Sequence, residues 1–208
     1  MGKIIEWKEE LFKHKWWILL SCLFLLIALI LNSIAGNYVE KKGTVPVTDL
    51  ILDNLPVINL SFLYFYGALV LILVISIYTL FFKVHKLHVV IGQVSLLILL
   101  RSFFISLTHL KVPTEAIIGK APFFFDPLAF QNDLFFSGHT AFPFLLFLIF
   151  RKEKIGIFFL IMTFVMAATV LLMHVHYSID VFAALFITYG SYKIGNWVSS
   201  KINGQDSG

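Results

Sequence analysis

Residues 155–174 read IGIFFLIMTFVMAATVLLMH, twenty positions without an Asp, Glu, Lys or Arg. A helix that crosses a bilayer core needs about 20 mostly apolar residues, so this stretch predicts a transmembrane helix. The run is continuous and lacks the alternation of a barrel strand. Working outward from it gives predicted spans near 16–35, 60–82, 88–108, 137–150, 155–174 and 178–198. The fourth is short because its first turn carries Ser137, His139 and Thr140.

Composition agrees. Of 208 residues, 59% are hydrophobic and 13% charged, and the mean hydropathy is +0.90. Soluble domains are roughly 45–50% apolar and about 25% charged. Too few polar groups remain to cover a water-facing surface, which excludes a soluble globular enzyme. With 23 Phe, 7 Tyr and 4 Trp, disorder is excluded as well. The expected fold class is all-α integral membrane: six transmembrane helices in one membrane-embedded domain over 1–208. The opening MGKIIEWKEELFKHKWW carries three glutamates and its apolar run starts late, so it does not read as a signal peptide. Glu6 stands where a myristoylation signal needs Ser or Thr. Ile4, Trp7 and Leu11 share a helical face, which predicts a short N-terminal interfacial helix.

Charge sets the expected orientation. Eleven basic residues fall on one side: Lys3, Lys8, Lys13, Lys15, Lys83, Lys86, Arg151, Lys152, Lys154, Lys193 and Lys201. Four fall on the other: Lys41, Lys42, Lys111 and Lys120. The positive-inside rule then makes both termini cytoplasmic. Trp7, Trp16, Trp17 and Trp197 lie near that boundary, as interfacial anchors should. Loops 36–59 and 109–136 and the turn near 175–177 face periplasm, exterior or lumen. Within the second loop, Phe123-Phe124-Phe125-Asp126-Pro127-Leu128 is too apolar for open water and reads as an interfacial anchor or a flap over the site. The single cysteine, Cys22, is expected to be a buried, inert thiol. The sequon Asn59-Leu60-Ser61 sits at a span entrance, and no glycan is expected there.

The outward face collects the chemistry-bearing residues. Asp133 and Ser137-Gly138-His139-Thr140 lead into the fourth span, and His174, His176 and Asp180 sit between the fifth and sixth. Arg101 lies in the third span, seven residues before Thr108, hence about 10 Å deeper. A charge at that depth is a functional-site hypothesis by default. If the sixth helix begins near 176, His176 and Asp180 are i and i+4 on one face. The carboxylate would fix one ring nitrogen and leave the other free to attack. Ser137 is placed as an N-cap, and the first-turn N–H groups of that helix can bind a phosphate oxygen. His139 could protonate a leaving oxygen, and Arg101 could hold the phosphate. Together these make a set for phosphoryl transfer through a phosphohistidine. Each group also has a plain structural use: a helix cap, an interfacial histidine, a structural pair, a snorkelling arginine. Their convergence on one membrane face is what favours chemistry. Two other readings stay open at this point. His174, His176, Asp180 and Asp133 could hold zinc, or Arg101 and the histidines could line the pathway of a non-enzymatic transporter.

These motifs resemble the type-2 phosphatidate phosphatase superfamily, in its sphingomyelin synthase-like branch. The matching residues are Asp133, Ser137-Gly138-His139-Thr140 and His174-Val175-His176-Tyr177-Ser178-Ile179-Asp180-Val181, with Arg101 and Thr108 seven apart. Val45-Pro46-Val47-Thr48-Asp49 looks like a weakened form of that branch's first motif. The resemblance implies six spans and a triad of His139, His176 and Asp180, with His176 the nucleophile and Asp180 its partner. It implies a lipid phosphoester substrate on the non-cytoplasmic face, with a lipid alcohol or water as acceptor. It implies no metal or other cofactor and no nucleic-acid partner. Arg101, Asp133, Ser137, Gly138, His174 and Tyr177 complete the candidate site as substrate-binding residues. The chain also departs from its relatives: Phe136 replaces the lipid phosphatases' Pro, Thr169 and Val170 their Ser-Arg pair, and Gln131-Asn132 the synthases' Cys-Gly. Headgroup transfer and hydrolysis therefore both remain open.

Overall fold

The computed structural model describes residues 2–42, 45–119, 130 and 132–202. The aromatic stretch 123–128 lies outside them. Among the described residues seven α-helices are formed: α1 (Gly2–Lys13), α2 (Lys15–Glu40), α3 (Ser61–Phe82), α4 (Val84–Leu107), α5 (Gly138–Phe150), α6 (Lys154–Leu172) and α7 (Ser178–Ile202). Leu52–Asn54 adds one 3₁₀ turn. Among the described residues the only extended pairing is one parallel bridge, Val45 to Leu110.

Four helices (α2, α3, α4 and α6) are long and apolar enough to cross a membrane, which makes this a multi-pass membrane protein by composition. The other two predicted spans do not reach that mark, for different reasons. Helix α5 has 13 residues, about 20 Å at 1.5 Å per residue against a hydrocarbon core of about 30 Å. Helix α7 has 25 residues, but Asp180, Lys193, Asn196 and Lys201 dilute it. Asp180, Thr188 and Ser191 are buried, whereas Ile179, Phe182 and Phe186 on the same helix are exposed. Polar groups inward and apolar groups outward is the reverse of a soluble helix.

Boundaries shift where local polarity misleads. Helix α2 continues to Glu40, beyond the expected end at 35, and α4 starts at Val84, so Lys86 lies on its first turn rather than in a loop. Cys22 is exposed, not buried, because α2 is covered on one side only, by α4.

Helix α5 pairs with α6 through a short turn and with α7 on another face, while α3 packs on α4 and α6. The main core joins Leu71, Ile75, Val90, Leu146, Phe150, Phe159 and Met166. A second core of Leu97, Phe136, Ala141, Leu145 and Ala184 lies directly under the start of α5. At the opposite end of the bundle, Glu153 bonds Lys86 (2.7 Å) and the Tyr78 hydroxyl (2.5 Å), with Lys83 at 3.4 Å. The Trp7 indole donates to the Leu80 carbonyl there (2.6 Å), which fastens α1 to the bundle.

Candidate active site

The C-terminus of α6 builds one side of the site. Val175 N–H donates to the Val170 carbonyl (3.1 Å) and His174 N–H to the Leu171 carbonyl (2.9 Å). This is the double bond pattern that ends many helices with a left-handed residue, usually Gly. His174 fills that position with φ 55°. The reversal turns residues 175–177 back over the start of α7. His176 therefore precedes α7 instead of lying on its first turn. It still meets Asp180, with Nδ1 3.4 Å from Oδ2. That is a long contact, and the same carboxylate oxygen accepts the Tyr177 N–H at 2.9 Å. Asp180 is fully buried, and its Oδ1 has no protein partner.

The loops 45–54 and 110–112 clamp this turn. Asp49 Oδ2 accepts the Ser178 N–H (2.7 Å), and Oδ1 accepts those of Ile51 and Leu52 (3.0 Å each). One carboxylate thus caps both α7 and the 3₁₀ turn. Burial acts upward on the Asp49 carboxyl, but these N–H bonds hold it below its ordinary value. The Tyr177 hydroxyl accepts from Val47 N–H (3.0 Å) and donates to the Lys111 carbonyl (2.8 Å).

The start of α5 is the other side. Ser137 precedes its first turn and is fully buried, but its hydroxyl caps no backbone N–H; it sits 3.3 Å from the Thr140 hydroxyl. The Ser137 N–H donates to the Asp180 carbonyl (3.2 Å), which joins the two motifs directly. Arg101 holds the approach to α5 by all three nitrogens. Nε donates to the Phe136 carbonyl (3.0 Å), Nη2 to the Asp133 carbonyl (2.6 Å), and Nη1 pairs with the Asp133 carboxylate (2.9 Å). Nη1 also reaches the Asn32 side-chain oxygen (3.5 Å). Burial pushes the Asp133 carboxyl up, with Arg101 acting the other way. The guanidinium thus holds the approach to α5 with its charge compensated by Asp133.

A cavity of about 280 Å³ opens between these two sides. Arg101, Asp133, Gly138, His139 and His176 line it. Both motif histidines therefore face one space, and Asp180 stands behind His176. His139 is stacked on Tyr64, with ring centroids 3.9 Å apart and planes 29° from parallel. Ser137, His174 and Tyr177 are buried and do not line the cavity. Asn32 and Tyr64 do line it and were missed in the sequence. The signal for Asn32 was available, since it is an amide inside the apolar run 16–35. Tyr64 gave none, because a tyrosine at a span entrance is ordinary. Among the described residues, no three His, Cys, Asp or Glu converge on a point where they could hold a metal ion.

A family model described as PAP2 superfamily C-terminal matches residues 132–196. The match takes in Asp133, the Ser137–Thr140 motif and the His174–Asp180 motif. Over that stretch, about a third of the chain, the sequence is similar to the PAP2 superfamily. No curated protein and no solved structure matches the chain.

Proposed function

We propose that this protein is a membrane-embedded enzyme acting on lipid phosphoesters at the non-cytoplasmic leaflet, in the manner of a sphingomyelin synthase-like phosphotransferase. The carrying observation is the shared cavity: His139 and His176 line one space, with Asp180 against the far nitrogen of His176. In this reading α2 to α7 make six passes, α5 and α7 being the two whose polar groups serve the site, and both termini are cytoplasmic.

Asp180 accepts the Nδ1 proton of His176 and fixes the tautomer whose Nε2 lone pair is free. Nε2 attacks phosphorus, and the bond from phosphorus to the leaving alcohol oxygen breaks. His139 delivers a proton to that oxygen. The acceptor then attacks the phosphohistidine, giving its proton back to His139, and Nε2 departs with its electron pair. A lipid hydroxyl as acceptor makes a new phospholipid; water frees the phosphate or phospho-headgroup. Hydrolysis is the second reading, favoured by the phosphatase-type family match over residues 132–196.

The test uses purified protein with labelled phosphatidic acid and labelled phosphodiester lipids, with and without diacylglycerol or ceramide. Label in a new lipid only when the alcohol is supplied identifies the transferase. Label released to water identifies the hydrolase, and no product from any lipid sinks the proposal. His176→Ala should abolish turnover while the protein stays folded. Asp180→Asn should lower the rate roughly 10²–10⁴-fold through the wrong tautomer.

A further inference from the structure

The chemistry above uses only the polar end of the cavity. The far end is apolar and is built from the same helices. On α3, Tyr64, Ala68, Leu71 and Ile72 line the cavity at i, i+4, i+7 and i+8, one stripe that spans about 12 Å of helix. On α2, Leu29 lies about a turn below Asn32; on α4, Ile98 lies about a turn below Arg101. In each helix the polar liner is nearer the histidines and the apolar liners are farther away. The cavity therefore has the polarity profile of an amphiphile, with a head region at His139 and His176 and an apolar limb running down the bundle.

The limb has a buried inner wall and an open side. Leu71 and Met166 are almost fully buried in the main core and wall the limb on the inner side. Ile72 is 42% exposed. Helix α2 packs along α4, and α3 packs on α4 and α6, while α2 and α3 share little contact, so the limb opens between them. Ala68, the smallest side chain on the stripe, lies midway between Tyr64 and Ile72 and leaves the limb its width. A wet apolar limb is unfavourable, whereas an alkyl chain within it removes apolar surface from water.

We infer that this limb takes the first part of one acyl chain of a lipid phosphoester whose phosphate lies between His139 and His176, and that Ala68 is a specificity-determining residue for that chain. The inference rests on the function proposed above. It goes further in assigning the chain a place and a gauge.

The experiment measures kcat/KM for phosphatidic acid and phosphatidylcholine, each as the water-soluble dihexanoyl and as the dioleoyl form, in one detergent with diacylglycerol and ceramide supplied. The wild type should prefer the dioleoyl form. Ala68→Leu and, from the opposite wall, Ile98→Phe should each reduce the dioleoyl-to-dihexanoyl ratio by roughly tenfold or more, mainly through KM. Turnover of both forms by the wild type with no preference, or a ratio unmoved in both variants, overturns the inference while leaving the functional reading intact. No turnover of either lipid in either form, together with no product in the labelled-lipid assay, removes the functional reading and this inference with it.

Discussion

His174 occupies a backbone position that helix ends usually give to glycine. Its φ of 55° is unfavourable for a side chain with a Cβ, and its Nε2 is buried without a partner. Two local defects two residues from the cavity-lining His176 concentrate strain next to the site. His174→Gly relieves a left-handed conformation that costs about 1–2 kcal/mol and should raise the thermal midpoint in detergent; a lowered midpoint would show that the imidazole is needed for packing. At this scale the sequence was informative about residue types and poor about partners. Histidine, aspartate and arginine in an apolar chain stand out as chemistry. Nothing in the order of residues indicates that Arg101 spends its donors on Phe136, Asp133 and Asn32, or that Tyr177 clamps two loops instead of lining the cavity.

Among the elements, every predicted span corresponds to a helix, because apolar runs of that length have little alternative in a bilayer. What failed was the ends. Asn37-Tyr38-Val39-Glu40 reads as loop by polarity, yet α2 continues through it, and Glu40 accepts the Asn132 N–H (3.1 Å) at the site end of the bundle. The α5–α6 hairpin depends on one close approach. A Cβ on Gly156 would lie 2.5 Å from the Phe150 carbonyl oxygen, which is backbone and cannot yield, whereas one on Gly190 meets nothing within 4 Å. Gly156→Ala should thus destabilise by about 1–3 kcal/mol. Gly190→Ala should be neutral or stabilising, by up to about 1 kcal/mol. Thermal melts of the two variants side by side check this, and equal midpoints would show that the hairpin tolerates the displacement.

For the molecule as a whole, the two ends of the bundle use charge differently. The site end compensates Arg101 with Asp133 inside the protein. The opposite end gathers Lys83, Lys86 and Tyr78 around Glu153 and ties α3 and α4 to the α5–α6 turn. Burial acts upward on the Glu153 carboxyl, but the bonded Lys86 and Tyr78, with Lys83 nearby, lower it from an ordinary 4.5 to about 2. A carboxyl depressed in the folded state stabilises above its unfolded value and loses that contribution as it protonates. The wild type should therefore exceed Glu153→Gln in thermal midpoint at pH 7. The gap should narrow as pH falls below 4.5 and close near 2; a gap that is the same at every pH would mean that ionisation contributes nothing. The sequence by itself determined that this chain is helical and membrane-embedded, and that its histidine-bearing polar groups lie in two short motifs. Those properties follow from composition and from the length of apolar runs, which a bilayer reads locally. Only the tertiary structure decided that the two motifs share one cavity, that Asn32 and Tyr64 join them, and that the cavity has an apolar limb. Those outcomes depend on how α2, α3 and α4 cross, and helix crossings are set by packing between residues far apart in the chain.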